Sequence, residues 1–180
     1  TQIELPDPLL NNIIRASQVH CMLAARNEQD GLQIAPWIAS QSYGPLDSEA
    51  NSIIRGMMLL GNEEFARRCF DYYIAQYKDQ HLAMGYTLIA TGWHLQTLGE
   101  YWDLFHNRPW LEQVAPKVAQ VDQWIVAQRQ KTLQPQGKGR PEAGLVPPGL
   151  IADWANFAYY FSLNGYYYSG LQGSAQALKA

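Results

Sequence analysis

The sequence predicts an all-α fold built from stacked antiparallel helical hairpins, and three observations carry that expectation. Apolar residues recur at three- and four-residue spacing in one segment after another. Gly, Pro, Asn and Asp separate those segments as helix starts and stops. Strict apolar and polar alternation persists nowhere between turn residues, so no strand is expected to compete.

Taken in order, Asp7-Pro8 opens the first helix, with the carboxylate as cap and proline where a missing N–H costs nothing. Leu9, Leu10, Ile13, Ile14 and Ser17 follow at helical spacing, to about Arg26, and Asp30-Gly31 ends the segment. Leu32 to Leu46 carries two prolines and Gly44 without helical periodicity, so it reads as an ordered loop. A second helix starts at Asp47 with the stripe Ala50, Ile53, Ile54, Met57 and Leu60, and stops at Gly61. Asn62 caps a third, with Phe65, Ala66, Cys69, Tyr72, Tyr73 and Gln76 on one face, to about Lys78. A fourth helix is expected from Tyr86 to Phe105, and a fifth from Pro109 to Arg129 with Trp110, Val114, Val121, Trp124 and Ile125 inward. Gln134 to Gly149, rich in Pro and Gly, is a long connection. The sixth helix, Ile151 to Tyr168, is aromatic on nearly every face, and a seventh begins at Gly173.

Composition narrows the function. With 180 residues, 47% of them hydrophobic, the chain has enough apolar material for a core, which excludes disorder. A charged fraction of 16% against 12% aromatics, with 6 Trp and 11 Tyr, makes it rich in side chains that are apolar and also hydrogen bond. The net charge of -3 gives no basic patch, so nucleic acid is not an expected partner. No stretch approaches a spanning helix, and residues 1–25 lack the pattern of a signal peptide, so no membrane partner is expected either. Cys21 and Cys69 form no CxxC pair; two buried free thiols are the first reading and a single disulfide the second. His20, His81, His94 and His106 show no ligand spacing, and Ser40 and Ser42 lack a GxSxG context. Neither a metal nor another cofactor is expected.

A weak internal echo runs through Leu59 to Ala66, Leu98-Gly99-Glu100-Tyr101 and Gly170 to Ala175, each placing Gly between an apolar helix end and a new helical run. Helices two and three, four and five, and six and seven would each form one hairpin. The opening Leu5-Pro6-Asp7-Pro8-Leu9-Leu10-Asn11, the Asp47 to Ala66 and Tyr86 to Ile125 helix pairs, and Gly144-Leu145-Val146-Pro147 running into Asp153-Trp154 resemble the six-hairpin glycosidases. That superfamily includes glucoamylase, trehalase, rhamnosidase and debranching-type enzymes. The resemblance covers most of the chain from Leu5 to Ala177. It implies an (α/α)6 toroid and carbohydrate hydrolysis by two carboxylates where hairpin loops converge. A full toroid needs roughly twice this length, counting helices and connections. The chain is therefore expected to supply about half of a barrel, completed by further hairpins of a larger chain or by a partner chain.

Glycoside hydrolysis needs one carboxylic acid to protonate the leaving oxygen and a second carboxylate as nucleophile or base. Asp153, entering helix six beside Trp154, is the candidate proton donor or sugar-hydroxyl acceptor; Asp47 is the candidate that fixes sugar hydroxyls. Both also suit the start of a helix. Glu49 and Asn51 complete a polar cluster with Asp47, and Glu142 in the long connection is a further carboxylate or a solvated surface residue. Trp37, Tyr43, Trp93 and Trp154 offer flat faces for sugar rings, whereas Trp102, Trp110 and Trp124 recur at core spacing. His81, near Gly85, is a sugar contact or an ordinary loop residue. The leading expectation is a carbohydrate-binding glycosidase segment; the alternative is a non-catalytic helical scaffold that packs against another chain.

Overall fold

The computed structural model describes residues 3–37, 45–76, 87–133, 139–151 and 154–179, of which 47, 76, 87–90, 154 and 155 are described as backbone alone. The chain divides into two compact units, residues 1–75 and 76–180.

The first unit opens with α1, Pro8–Ala24. Asp7 caps it as expected, accepting the Leu9 N–H at 2.7 Å and the Leu10 N–H at 3.4 Å. The chain then departs from the all-α expectation. Ala25–Glu28 forms β1 and Gln33–Pro36 forms β2, an antiparallel pair in which Ala25 lies opposite Pro36 and Glu28 opposite Gln33. Between them a 3-10 turn places Gln29, Asp30 and Gly31 in succession at φ of 48°, 54° and 87°. Strands four residues long, one of them the polar Ala-Arg-Asn-Glu, are too short to show alternation. The left-handed turn and the burial of Ile34, Ala35 and Pro36 hold the pair together instead.

α2 spans Asp47–Leu59 and α3 spans Glu63–Gln76. Gly61, at φ 82°, makes the turn between them, and its N–H donates to the Met58 carbonyl at 2.9 Å. Ala50, Ile54, Met57 and Met58 from α2 and Phe65, Ala66, Cys69, Phe70 and Tyr73 from α3 are buried, close to the stripes read from sequence. Each large apolar side chain removed from water there contributes about 1.5–3 kcal/mol. The two cysteines are free, Cys69 buried and Cys21 half-buried, so the disulfide alternative falls.

The second unit holds α4 (Thr87–Phe105), α5 (Arg108–Leu133), an antiparallel pair β3 (Gly149–Ile151) and β4 (Trp154–Ala158), and α6 (Phe161–Lys179). Two residues, His106 and Asn107, reverse the chain between α4 and α5, with His106 at φ 48°. Trp110, Val114, Val121 and Ile125 are buried as expected from α5, together with Leu111 and Val118. Trp124 is only half-buried. The sixth-helix expectation needs correction. Its first residues form a β-hairpin, because Trp, Phe and Tyr suit a pleated surface as well as a helix and periodicity cannot separate the two. The helix begins ten residues later, at Phe161, and no seventh helix follows, since α6 runs unbroken through Gly170 and Gly173 to Lys179.

Those glycines are helix interior for a packing reason. A Cβ built on Gly92 of α4 would lie 2.5 Å from the Tyr166 backbone, and one on Gly99 would lie 2.6 Å from the Gly173 Cα. α4 and α6 thus touch backbone to backbone. Gly92 meets Tyr166 and Gly170, and Gly99 meets Gly173, so contacts advance in the same direction along both helices and the pair is parallel. Between α5 and α6 the order reverses, with Asp122 on Ser174 and Trp124 on Tyr167. The internal echo is corrected accordingly: of its three glycine positions, only Gly61 ends a helix. The closest helix pair in this unit is α4 with α6, not a hairpin of consecutive helices.

The long connection after α5 is tied at both ends. Gly144 N–H donates to Thr132 Oγ1 at 3.1 Å, the Thr132 hydroxyl donates to the Leu145 carbonyl, and Val146 N–H donates to Asn164 Oδ1 of α6 at 2.9 Å.

Candidate functional site

The expected site residues fall into three groups. Tyr43, His81 and Asp153 lie outside the described residues. Trp37, Asp47, Glu49 and Asn51 belong to the first unit, and Trp93, Glu142 and Trp154 to the second.

In the first unit Asp47, Glu49 and Asn51 share the first turns of α2, and Trp37 lies apart from them at the end of β2. Leu46 occupies the cap position, with extended backbone and no side-chain cap, so Asp47 is the first helical residue rather than the cap that the sequence suggests. Glu49 is exposed and accepts the hydroxyl of Ser48. Asn51 sits one turn beyond Asp47 on the same side of the helix, only 7% exposed, and its Oδ1 has no hydrogen-bond partner. A buried amide oxygen left without a donor costs about 1–3 kcal/mol, and such orphans are uncommon. Trp37 follows β2 directly, and the Arg26 guanidinium lies 3.5 Å over its ring centroid. That cation–π contact fixes the indole and occupies one of its faces.

In the second unit the expected residues do not gather. Trp93 packs edge-on against Tyr166, with ring centroids 4.7 Å apart, which makes it part of the α4–α6 contact and not an open platform. Glu142 is half-buried in the turn after α5, 3.9 Å from Arg140 Nη1. Trp154 begins β4 opposite Ile151. A strand from Trp154 replaces the helix start expected there.

Three features escaped the sequence. Asp122, midway along α5, receives the Ser174 hydroxyl at 2.9 Å, and burial raises its carboxyl to about 6, with the hydrogen bond from Ser174 opposing. Nothing local marks it, because it lies among Gln120, Val121 and Gln123 and its partner is 52 positions away. Burial likewise pushes the Cys69 thiol far above its ordinary value, which makes it inert as a nucleophile. The third is a pocket of about 620 Å³ at the far end of α2, where Arg68 and Asn27 meet. Among the described residues no group of three His, Cys, Asp or Glu could hold a metal ion, and no helix is long and apolar enough to cross a membrane.

No protein-family model, curated protein sequence or solved structure matches this chain.

Proposed function

We propose that this chain is a segment of an α/α-toroid glycoside hydrolase whose candidate carboxylates are Asp47, at the start of α2, and Asp153. The observation that carries the reading is the orphaned Asn51 Oδ1, one turn from Asp47 and buried without a donor. A sugar hydroxyl is a donor of the right size to satisfy it, and Asp47 would accept a second hydroxyl. The helix order lends support. α4 and α6 run parallel in direct contact while α5 returns between them in sequence, which is how an inner, outer and inner helix follow one another in such a toroid. In this reading Asp153 is the proton donor or a hydroxyl acceptor.

The test is hydrolysis and binding of a glycan panel by the intact protein. Asp153→Asn is expected to abolish turnover and leave the far-UV circular dichroism unchanged; an unchanged rate removes Asp153 from the chemistry. Asn51→Leu, which removes the orphan oxygen at similar volume, is expected to stabilise the fold and weaken glycan binding. A second reading, a non-catalytic scaffold, is favoured by α1. None of its residues is buried, and Leu9, Ile13 and Leu23 are 64%, 51% and 76% exposed, an apolar face suited to another helix.

A further inference from the structure

We propose that the pocket where α1, the β1–β2 pair and the α2–α3 turn meet is a second binding site, for a small neutral ligand rich in hydroxyl groups. Its volume of about 620 Å³ lies in the range of sites that enclose small molecules. It sits beside Gly61, beyond the last residue of α2, whereas Asp47 is the first. Thirteen residues of helix separate the two by about 20 Å, so one small ligand cannot occupy both.

The lining selects the ligand, independently of the glycosidase reading. Met22, Ile34 and Phe65 give an apolar wall. Opposite charges share the remainder: Glu63 and Glu64 on the first turn of α3, Arg68 one turn later. An anion would face two carboxylates and a cation would face the guanidinium. A hydroxyl group donates to the first and accepts from the second, so a neutral polyol with an apolar C–H face suits every part of the wall. Arg68 also holds an unused donor. Its Nη2 donates to Asn27 Oδ1 at 2.9 Å, but its Nε, enclosed and 4.0 Å from a Glu64 oxygen, makes no hydrogen bond. A ligand oxygen would complete it and remove a desolvation cost. The frame is set before any ligand arrives. The Asn27 contact fixes the guanidinium, and Asn62 Nδ2, donating to Gln18 Oε1 at 3.3 Å, ties the rim to α1.

Isothermal titration of the full chain with maltose and with cellobiose, and with glucuronate and glucosamine as charged counterparts, tests the assignment. The neutral disaccharides are expected to bind more tightly than either charged sugar. Arg68→Gln, checked for folding by circular dichroism, is expected to weaken that binding at least tenfold. A further measurement needs no variant at this site: maltose added to the ¹⁵N-labelled protein is expected to shift the side-chain amide signals of Asn27 and Asn62. Absence of binding by both neutral disaccharides, tighter binding of a charged sugar, or amide shifts that spare these two residues would each overturn the proposal. Hydrolysis is not read in any of these arms. Maltose binding whose amide shifts spare Asn27 and Asn62 overturns this site and leaves the function proposed above standing, and loss of activity in Asp153→Asn leaves this site standing.

Discussion

The two units hold their helices in opposite ways. In the second, α4 and α6 touch through backbone at Gly92, Gly99, Gly170 and Gly173, and side chains such as Thr91, Leu95, Ser174 and Ala177 are sealed beside the contact. In the first, α2 and α3 bury a conventional apolar core, while α1 joins the unit through half-buried residues such as Ile14, Gln18 and Cys21 and leaves its larger apolar side chains exposed. The lesson is that apolar periodicity measures what a helix is able to bury, and not what it does bury. By spacing, α1 is a clear amphipathic helix and fully buries none of its residues; α6, interrupted by glycines in sequence, is the most tightly engaged.

The largest expected effect breaks the tight contact. Gly92→Ala sets a Cβ against backbone that cannot rotate away, so the second unit is expected to lose about 1–3 kcal/mol. Gly56→Ala in α2, where nothing lies within 4 Å of the added carbon, is expected to gain about 0.5–1 kcal/mol from the lower entropy of the unfolded chain. Chemical denaturation of both variants checks the pair, and equal signs would show that the glycines of α4 do not set the helix separation.

A smaller effect tests the buried carboxyl between α5 and α6. Asp122 is held at about 6 in the fold against 3.8 for an ordinary aspartate, so between those values the folded state binds the proton more strongly than the unfolded state does. Its contribution to stability is therefore greatest below about pH 4, declines as pH rises to about 6, and stays at its lowest above that. Asp122→Asn is expected to flatten this dependence in thermal melts across pH 4 to 7 and to raise stability at neutral pH, with Ser174 still bonded. A slope unchanged in the variant would assign the dependence to another group.

The smallest effect belongs to α1. Leu23→Gln, on a side chain 76% exposed, is expected to change stability by less than about 0.5 kcal/mol. A larger loss, read by the same denaturation, would mean that this face is covered in solution and would favour the scaffold reading.

Much of the helical plan was legible because its signals are local. The Asp7-Pro8 start, the Gly61 turn, the α2 and α3 stripes and the inward face of α5 each follow from residues within a few positions of one another. Part of the candidate site was legible for the same reason: Asp47 and Asn51 share a helix face by spacing alone. The orphan state of the Asn51 oxygen was not, since it depends on what the surrounding elements fail to offer. Trp93 shows the opposite case, an aromatic placed by residue type on an expected sugar platform and taken by Tyr166 in the fold.

By itself the sequence determined where most helices begin and end and which of their faces are apolar, because capping, turn geometry and periodicity act over one or two turns of chain. Only the tertiary structure decided that Gly170 and Gly173 continue a helix, that Trp154 to Ala158 is a strand, that Asp122 meets Ser174, and that Arg68 and Asn27 enclose a pocket. Each of those outcomes depends on a partner that sequence distance conceals. A glycine ends a helix when solvent surrounds it and continues one when another backbone needs the space that a side chain would fill.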